Sequence, residues 1–449
     1  MDKLNGVHFY INILNFYDVL GKEEAKTGNV THAIHALDTY FSSIEAYGKS
    51  RYPDVFVVEK ITGSRLHMYV TANADEAYQV VKDVSLFAYQ LASFINNDIP
   101  KYKTLDNFSI HVGSAYGMFY EYEFSTDSGF SEITTIGYAA NYAAKLQALS
   151  SASHLSISAE IFDSLPVDEK QNFKKVVDKS LKKYEQEYYY SVHLINIKSS
   201  GSILPADWTR VVGYANRINL NAMNYSSANK QINFDNLSVT QCKKIDGIPM
   251  FSDIRGFTSQ FAEDDSNLEE MANRTQKVLE SMYRVTTEHN GLHVQFQGDR
   301  ELALFHNVQS DETNGKETCC FKYAVLAGMR MIDAVKPFSI HIGVGEDFGK
   351  LFATKIGARG EKDTILLGKV VQTADIMEDK EAAEDQLAIT ESVFSGLAKE
   401  DPTLAKQFSK TEHGVYIVTL SYAAYARKLA FENQQRNTSS KTYNGAWGE

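Results

Sequence analysis

Hydrophobic residues recur along this chain with the period of a strand in some stretches and the period of a helix in others. The same succession of these stretches occurs twice. Apolar runs typical of buried strands come first in each half, at about residues 7–14 and 245–253. Stretches with helical spacing follow at about 28–48 and 266–289. In the second of these stretches the apolar residues recur at roughly helical intervals: Leu268, Met271, Val278, Leu279, Met282 and Val285. Each half therefore begins with a strand that leads into a helix.

The rest of each half predicts a hairpin, a second helix, another hairpin and a third helix. The first hairpins are expected at about 55–69 and 292–305, each with a glycine at its turn. The later helices are expected at about 74–97 and 316–335, and then from near Gly137 and Gly368. Strands joined by hairpins and interleaved with helices predict an α+β fold, an antiparallel-rich sheet with helices packed on it.

Three short motifs also repeat in the same order at nearly constant separation. The matched segments are 10–16 with 251–257, 63–65 with 298–300, and 108–113 with 338–343. The third pair is the closest, Phe-Ser-Ile-His-Val-Gly against Phe-Ser-Ile-His-Ile-Gly. Three motifs in one order indicate a duplicated domain rather than coincidence.

The duplication predicts where the domains begin and end. The first domain is expected over residues 1–197 and the second over 241–422. Residues 198–240, rich in Ser and Asn around a predicted helix at about 206–223, form the linker between them. Residues 423–449 are expected to be a helix followed by a polar tail.

Composition limits the functional classes. The chain has 449 residues, 43% of them hydrophobic and 23% charged, which suits two or three ordinary globular domains. A net charge of -12 argues against a nucleic-acid partner. The three cysteines lack metal-ligand spacing, and no run of about 20 apolar residues occurs. We therefore expect a soluble, cytoplasmic protein without a membrane segment.

Two acidic residues of the second half carry the candidate chemistry. Asp253 follows the first strand, and Asp299 lies at the turn of the hairpin. Taken singly, Asp253 is most simply a helix N-cap and Asp299 a turn residue. If their strands are neighbours, both carboxylates reach the same edge of the sheet and can hold two Mg²⁺ or Mn²⁺ ions beside a triphosphate.

The segment Phe-Ser-Asp-Ile-Arg-Gly-Phe-Thr at 251–258, followed by Gly298-Asp299, resembles the signature of the class III adenylyl and guanylyl cyclases. Residues 137–146 resemble the segment that supplies the other half of that family's site. The resemblance implies two cyclase-like domains arranged head to tail as an intrachain pseudo-dimer, with two pseudo-symmetric sites. It also implies a nucleoside triphosphate substrate and two metal ions.

The resemblance assigns roles residue by residue. Asp253, Ile254 and Asp299 correspond to the metal-binding residues. The phosphate-binding segment comprises Ile254, Arg255, Gly256, Phe257 and Thr258. Asn141 matches the asparagine that orients the ribose, and Lys145 stands where the family has the arginine that stabilises the transferring phosphorus. Lysine keeps the charge but lacks the bidentate fork, which bears on the rate more than on the reaction.

The opposite site lacks these groups. Its metal positions are Asn12 and Ser64, and its transition-state positions are Gln372 and Ile376. Since none of these can replace a carboxylate or a cation, we expect one catalytic centre per chain. The fused pair can complete that centre alone, so the sequence leaves association of two chains open.

The positions at which this family selects the nucleotide base correspond to Lys60 and Thr134. A lysine donates to adenine N1, which favours ATP, but cytosine and uracil also offer acceptors. The free-standing organisation and Gln297-Gly298-Asp299-Arg300 are similar to the pyrimidine cyclases of the bacterial Pycsar antiphage system. That resemblance implies cyclic UMP or cyclic CMP acting on a separate effector protein. An adenylyl cyclase and a nucleotide-binding pseudoenzyme are the alternatives.

Overall fold

The structure of the chain is a computed structural model. It describes residues 2–125, 131–184, 186–199, 201–220, 224–227, 231–257, 268–307, 320–357 and 362–431. Thr258, the last residue of the predicted phosphate-binding segment, lies outside these residues. Residues 432–449, which include the predicted polar tail, also lie outside them. In the described part, no helix combines the length and hydrophobicity needed to cross a membrane.

The first half of the chain forms a sheet in the order β2-β3-β1-β4-β6-β8-β7, with β5 paired to β4. The strands are β1 (Asp2–Ile13), β2 (Phe56–Thr62), β3 (Arg65–Thr71), β4 (Ile110–Ser125), β5 (Ser131–Ile136), β6 (His154–Ile157), β7 (Lys174–Val177) and β8 (Tyr188–His193). All described pairs in this sheet are antiparallel except β4 with β6.

Helices cover this sheet and its edges. They are α1 (Phe16–Thr27), α2 (Thr31–Arg51), α3 (Ala77–Asp98), α4 (Tyr138–Leu149), α5 (Ala159–Asp163) and α6 (Val167–Lys170). Val7, Phe9 and Ile11 on alternate positions of β1 are fully buried and belong to the same hydrophobic core as α2 and α3. The period of two therefore places one face of β1 in the core.

The described part of the region between the halves includes an α-helix and a short strand. Helix α7 spans Pro205–Asn216, and β9 (Asn224–Ser227) pairs in parallel with the beginning of β10 (Gln241–Ile254). The helix predicted at about 206–223 is thus shorter than expected and ends at Asn216. A proline at its first turn fits the beginning of a helix, because the missing N–H would have no partner there.

The second half repeats the strand order as β11-β12-β10-β13-β16-β18-β17. Its other strands are β11 (Leu292–Gln297), β12 (Arg300–His306), β13 (Ile342–Glu346), β14 (Gly349–Ile356), β15 (Asp363–Leu367), β16 (Gln386–Ile389), β17 (Ser409–Lys410) and β18 (Tyr416–Val418). Its helices are α8 (Leu268–Glu288), α9 (Cys320–Val335), α10 (Lys369–Ile376), α11 (Glu391–Glu400) and α12 (Pro402–Ala405), and residues 422–431 are also helical. The mixed α+β fold with two sheets is confirmed.

Strand register corrects the alignment of one repeated motif. Asn12 pairs with His111 in the first sheet, and Asp253 pairs with Gly343 in the second. His111 therefore corresponds to Gly343 and not to His341, so the Phe-Ser-Ile-His match was displaced by two residues. A displacement of two keeps every side chain on its own face, which is why the alternating pattern could not reveal the error.

Internal packing divides the described residues into two compact units that are not continuous in sequence. The first contains Met1–Ile245, Gly256–Ala272 and Lys350–Lys369. The second contains Asp246–Arg255, Asn273–Gly349 and Val370–Glu449. Strand β15, from the second half of the sequence, thus belongs to the first unit, where the Asp363 carboxylate accepts a hydrogen bond from the N–H of Ile61 at 2.7 Å. The domain limits of the sequence analysis stay a prediction.

The second unit buries a carboxyl group whose ionisation should limit stability. Glu346 on β13 is fully buried, and neither of its oxygens has a hydrogen-bond partner among the described residues. Burial raises the pKa of Glu346 from 4.5 to about 8. The unfolded chain loses this proton at lower pH than the folded chain, so folding stability falls as pH rises from about 4.5 to about 8.

We expect Glu346→Gln to flatten this pH dependence, because glutamine does not ionise. The drop in the melting temperature between pH 6 and pH 9 should be smaller in the variant, corresponding to a relative gain on the order of 1–3 kcal/mol at the higher pH. Thermal unfolding at a series of pH values measures this. Parallel pH profiles for the two proteins would show that Glu346 does not carry the ionisation penalty.

Candidate active site

The two predicted metal-binding aspartates lie at one end of adjacent strands. Asp253 is next to last in β10 and pairs with Arg300, the first residue of β12. Asp299 precedes Arg300 in the turn, where Gly298 adopts a positive φ of 69°. This φ is accessible to glycine without steric cost, so the tight turn holds Asp299 beside the end of β10.

The electrostatics of this end of the sheet favour a bound cation. Burial and then the neighbouring charge of Asp299 raise the pKa of Asp253 from 3.8 to about 7, against the opposing effect of Arg300 and Arg255. Two carboxylates that repel one another in a partly buried site can be neutralised together by divalent ions, for which carboxylate oxygens are preferred ligands. The donor set therefore fits Mg²⁺ or Mn²⁺.

Two arginines lie beside the aspartates and are tied to a buried glutamate. Arg255 contacts the Glu378 carboxylate at 2.6 Å and donates to the carbonyls of Glu378 and Ala382 at 2.6 and 2.7 Å. Arg300 donates to Asp375 at 2.6 Å and to Glu378 at 2.8 Å. Arg255 also lies 3.7 Å from Asp253. The guanidinium groups thus connect the ends of β10 and β12 to Glu378.

Glu378 belongs to a π-helical turn, Met377–Glu381, that continues α10. This segment packs closely on β13, because a methyl group on Gly345 would overlap the backbone of Glu378. A methyl group on Gly343 would likewise overlap the guanidinium of Arg255. The two glycines create the space in which Arg255 and Glu378 meet, and π-helical turns often occur at functional sites.

Four residues of the predicted phosphate-binding segment, 254–257, are described. Ile254 and Phe257 are buried, at 3% and 5% exposure, and Gly256 turns the chain with a φ of 72°. Arg255 has its guanidinium directed to Glu378 and the carbonyls described above, a role within the protein that the resemblance did not suggest. Their part in phosphate binding stays a prediction.

The equivalent positions in the first unit form a network of mostly neutral side chains. Ser64 donates to Asn12 Oδ1 at 2.8 Å, and Asn12 Nδ2 lies 3.0 Å from Nε2 of His111. Gln147, which corresponds to Glu378, lies 2.7 Å from the same nitrogen. Burial lowers the pKa of His111, which favours its uncharged form. Amide, hydroxyl and imidazole groups here replace the carboxylates of the second unit, whereas the position of Arg300 keeps an arginine, Arg65.

Asn141 and Lys145 lie four residues apart on α4 of the first unit and therefore share one face of that helix. Both are partly exposed, and the Asn141 carbonyl accepts a hydrogen bond from the Tyr184 hydroxyl at 3.2 Å. Gly137 begins the helix with a φ of 153°, and a methyl group there would contact Phe119. Gln372 and Ile376, the corresponding residues of α10, are exposed.

The predicted base-reading residues are engaged with acids of the first unit. Lys60 is 4% exposed and forms an ion pair with Glu132. Burial lowers the pKa of Lys60 to about 8, against the opposing charges of Glu59 and Asp363. Thr134 donates to Glu59 at 3.0 Å. These contacts add Glu59, Glu132 and Asp363 to the predicted pair.

A bulge in β2 explains why Glu59 and Lys60 both participate. The register between β2 and β3 shifts between Val58 and Lys60, leaving Glu59 as the extra residue. Such a bulge redirects side chains from strict alternation. The second sheet has the same shift between His293 and Gln295. Spacing within the motif could not reveal it, because a bulge has no sequence signature here.

Phe9 and Tyr10 are neighbours on β1, so their rings lie on opposite faces of the first sheet. Phe9 is fully buried in the core with the helices, whereas Tyr10 lies on the other face and stacks on His67 with 4.0 Å between ring centroids. Tyr10 therefore lies on the same face as His67, which pairs with Lys60 of the neighbouring strand.

The buried charge cluster gives a stability prediction. Arg300→Met should leave Glu378, 2% exposed, without one of its two arginine partners, at a cost of about 2–4 kcal/mol. Arg65→Met, at the corresponding register position of the first sheet, should cost less than about 1 kcal/mol. Chemical denaturation of both variants measures the difference. Equal losses would show that Arg300 is not a structural partner of this cluster.

Comparison with known proteins agrees with this geometry. Residues 240–428 match the family described as the Adenylate and Guanylate cyclase catalytic domain. No curated protein matches the chain.

A class III adenylyl cyclase-like ATP-binding protein from Pseudomonas aeruginosa has a similar structure, with a TM-score of 0.69 and 15% identity over 95% of this chain and 90% of that one. The adenylyl cyclase CyaB from P. aeruginosa matches at 19% identity over 39% of this chain and 94% of its own, with a TM-score of 0.33. The first match shows that this chain has the fold of a class III cyclase-like protein, and residues 240–428 carry the pattern of the catalytic domain.

Proposed function

We propose that the chain is a nucleotidyl cyclase that converts a nucleoside triphosphate to its 3′,5′-cyclic monophosphate and pyrophosphate. The observation that carries the proposal is the adjacency of Asp253 and Asp299 within a segment that matches the cyclase catalytic domain. The neutral residues at the equivalent positions of the first unit, Asn12 and Ser64, support one catalytic centre per chain.

In this reaction the ribose 3′-hydroxyl forms a bond to the α-phosphorus, the bond from that phosphorus to the bridging oxygen breaks, and the hydroxyl proton passes to solvent. Asp253 and Asp299 would hold two Mg²⁺ or Mn²⁺ ions, which supply Lewis-acid stabilisation of the phosphate oxygens when bound. Asn141 would orient the ribose, and Lys145 would place a positive charge near the transferring phosphorus. The cyclase resemblance supports these last two roles.

We propose a pyrimidine nucleotide, UTP or CTP, as the substrate, with the cyclic product acting on a separate effector protein as in the Pycsar systems. Tyr10, which is half-buried, and His67, which is buried, stack near Lys60 and add bulk to the face that carries the predicted base-reading residues. Added bulk disfavours the larger purine ring system. ATP is the alternative substrate that a lysine at position 60 would also suit.

Measuring pyrophosphate release from ATP, GTP, CTP and UTP, each with Mg²⁺ and with Mn²⁺, tests the substrate proposal. We expect the highest kcat/KM with UTP or CTP and a cyclic monophosphate as the product after chromatographic separation. Faster turnover of ATP than of both pyrimidines would replace the pyrimidine cyclase with an adenylyl cyclase. Either substrate preference would be consistent with the proposal that the chain is a nucleotidyl cyclase.

Nucleotide binding without turnover is a second candidate function. It is favoured by the similarity to a structure described as an ATP-binding protein and by the lysine at position 145. Calorimetric binding of a triphosphate in the absence of any cyclic product over many hours would establish it. The pair of aspartates is the observation that favours catalysis over this candidate.

A further inference from the structure

Three polar side chains with metal-ligating atoms meet on the first sheet. We call His8, Glu59 and His67 the histidine–glutamate triad. Nδ1 of His8 lies 3.0 Å from Nε2 of His67, and Nδ1 of His67 lies 3.0 Å from Oε2 of Glu59. One ligand atom from each residue can be chosen so that all three lie within 4.8 Å of one another.

Strand pairing places the triad where it is. His8 on β1 pairs with Tyr69 on β3, and His67 pairs with Tyr10, so the two histidines are diagonal neighbours on one face. Glu59 is the extra residue of the bulge in β2, next to the strand partner of His67, and its Oε2 lies 3.0 Å from His67 Nδ1. The triad is therefore held by three strands of one sheet and needs no loop.

Burial is the second feature of the triad. The side chains of His67 and Glu59 are only 6% and 4% exposed. His8 is fully buried, and its Nε2 has no hydrogen-bond partner within the described part of the chain.

The carboxylate is also fixed in position. Oε1 of Glu59 accepts hydrogen bonds from the Thr134 hydroxyl and the Thr135 N–H, each at 3.0 Å, and Oε2 accepts one from the Thr135 hydroxyl at 2.5 Å. Hydrogen bonds of this kind orient the carboxylate ligands of metal sites. Thr134 and Thr135 would thus form the supporting shell of the triad.

The duplication provides an internal comparison. By strand register, His8, Glu59 and His67 correspond to Pro249, Val294 and Leu302 of the second sheet. All three of these residues are buried, and their side chains are apolar. The fold therefore does not need polar groups at these positions. The first sheet alone has two imidazoles and a carboxylate together there, at the cost of burying polar groups.

We propose that the histidine–glutamate triad binds one divalent transition-metal ion, with Zn²⁺ as the best match. Two histidines and one glutamate form a common protein donor set for zinc, with the fourth position left for water. Bonds of about 2.0–2.2 Å span ligand atoms up to roughly 4 Å apart, so small side-chain adjustments bring the three atoms to one ion. This site does not depend on the proposed cyclase activity.

Metal content of the full chain tests the proposal. After expression in zinc-supplemented medium and dialysis against metal-free buffer, mass spectrometry should find roughly one zinc per chain. His67→Leu and Glu59→Val, which introduce the residues of the second sheet, should each reduce this to below about a tenth. Asp253→Asn, at the other predicted metal site, should leave the zinc content unchanged.

Cobalt provides a second readout that does not depend on the variants folding. Adding Co²⁺ to the metal-free wild-type chain should produce the visible absorption bands of a four-coordinate site, saturating at about one equivalent. Wild-type protein with neither zinc nor these bands would overturn the proposal, and so would zinc that persists in a folded His67→Leu variant. In the first of those cases the three side chains form only a hydrogen-bonded chain, from the Glu59 carboxylate through His67 to His8.

Discussion

Asp253→Asn and Asp299→Asn should each reduce cyclic nucleotide formation by at least about 100-fold, to the background of the assay. An amide is neutral and binds a divalent ion far more weakly than a carboxylate does. Asparagine is also nearly isosteric with aspartate, and it removes the charge whose burial, and then its repulsion by Asp299, raises the pKa of Asp253. We therefore expect thermal stability to be kept or slightly increased while activity is lost.

The duplicated chain supplies a matched control for this experiment. Asn12→Ala alters the residue that corresponds to Asp253 by strand register, and Gln372→Ala alters the residue that corresponds to Asn141. Both variants should retain most of the activity, since the account assigns catalysis to one site. If the loss were as large at Asn12 as at Asp253, the chain would have two working sites and the one-site account would fail.

Lys145→Ala should lower kcat by about 10-fold or more while KM changes little, because a charge that acts on the transferring phosphorus contributes mainly in the transition state. Lys145→Arg should retain or raise the rate, since arginine keeps the charge and adds a bidentate fork. Steady-state kinetics of both variants with the preferred triphosphate measure the effect. Loss of activity in Lys145→Arg equal to that in Lys145→Ala would show that the positive charge is not what this position supplies.

The order of elements was predictable because it depends on local periods. The predicted strands, helices and hairpins appear in the structure at nearly the predicted places, since buried strands and amphipathic helices leave period-two and helical signals in the sequence. Helix α1 (Phe16–Thr27) was not predicted. The two-residue error in aligning 338–343 arose because the alternating pattern does not determine the register of a strand, which depends on its cross-strand partners.

The surroundings of the site were less predictable because they are assembled from distant parts of the chain. Glu378 lies more than a hundred residues from Arg255, and only the close packing permitted by Gly345 brings its turn to β13. Nothing in the local sequence distinguishes this glutamate from a solvated helix residue. Lys60 and Glu132 are likewise brought together by the sheet, and their ion pair was not expected from the base-reading motif.

A crystal structure of the full chain with Mn²⁺ and a 3′-deoxynucleoside triphosphate, which cannot cyclise, tests the central claim most directly. We expect two anomalous manganese peaks within bonding distance of the Asp253 and Asp299 carboxylates, with the Lys145 ammonium beside the α-phosphate. Manganese bound elsewhere, or a triphosphate whose α-phosphate lies far from Lys145, would contradict it.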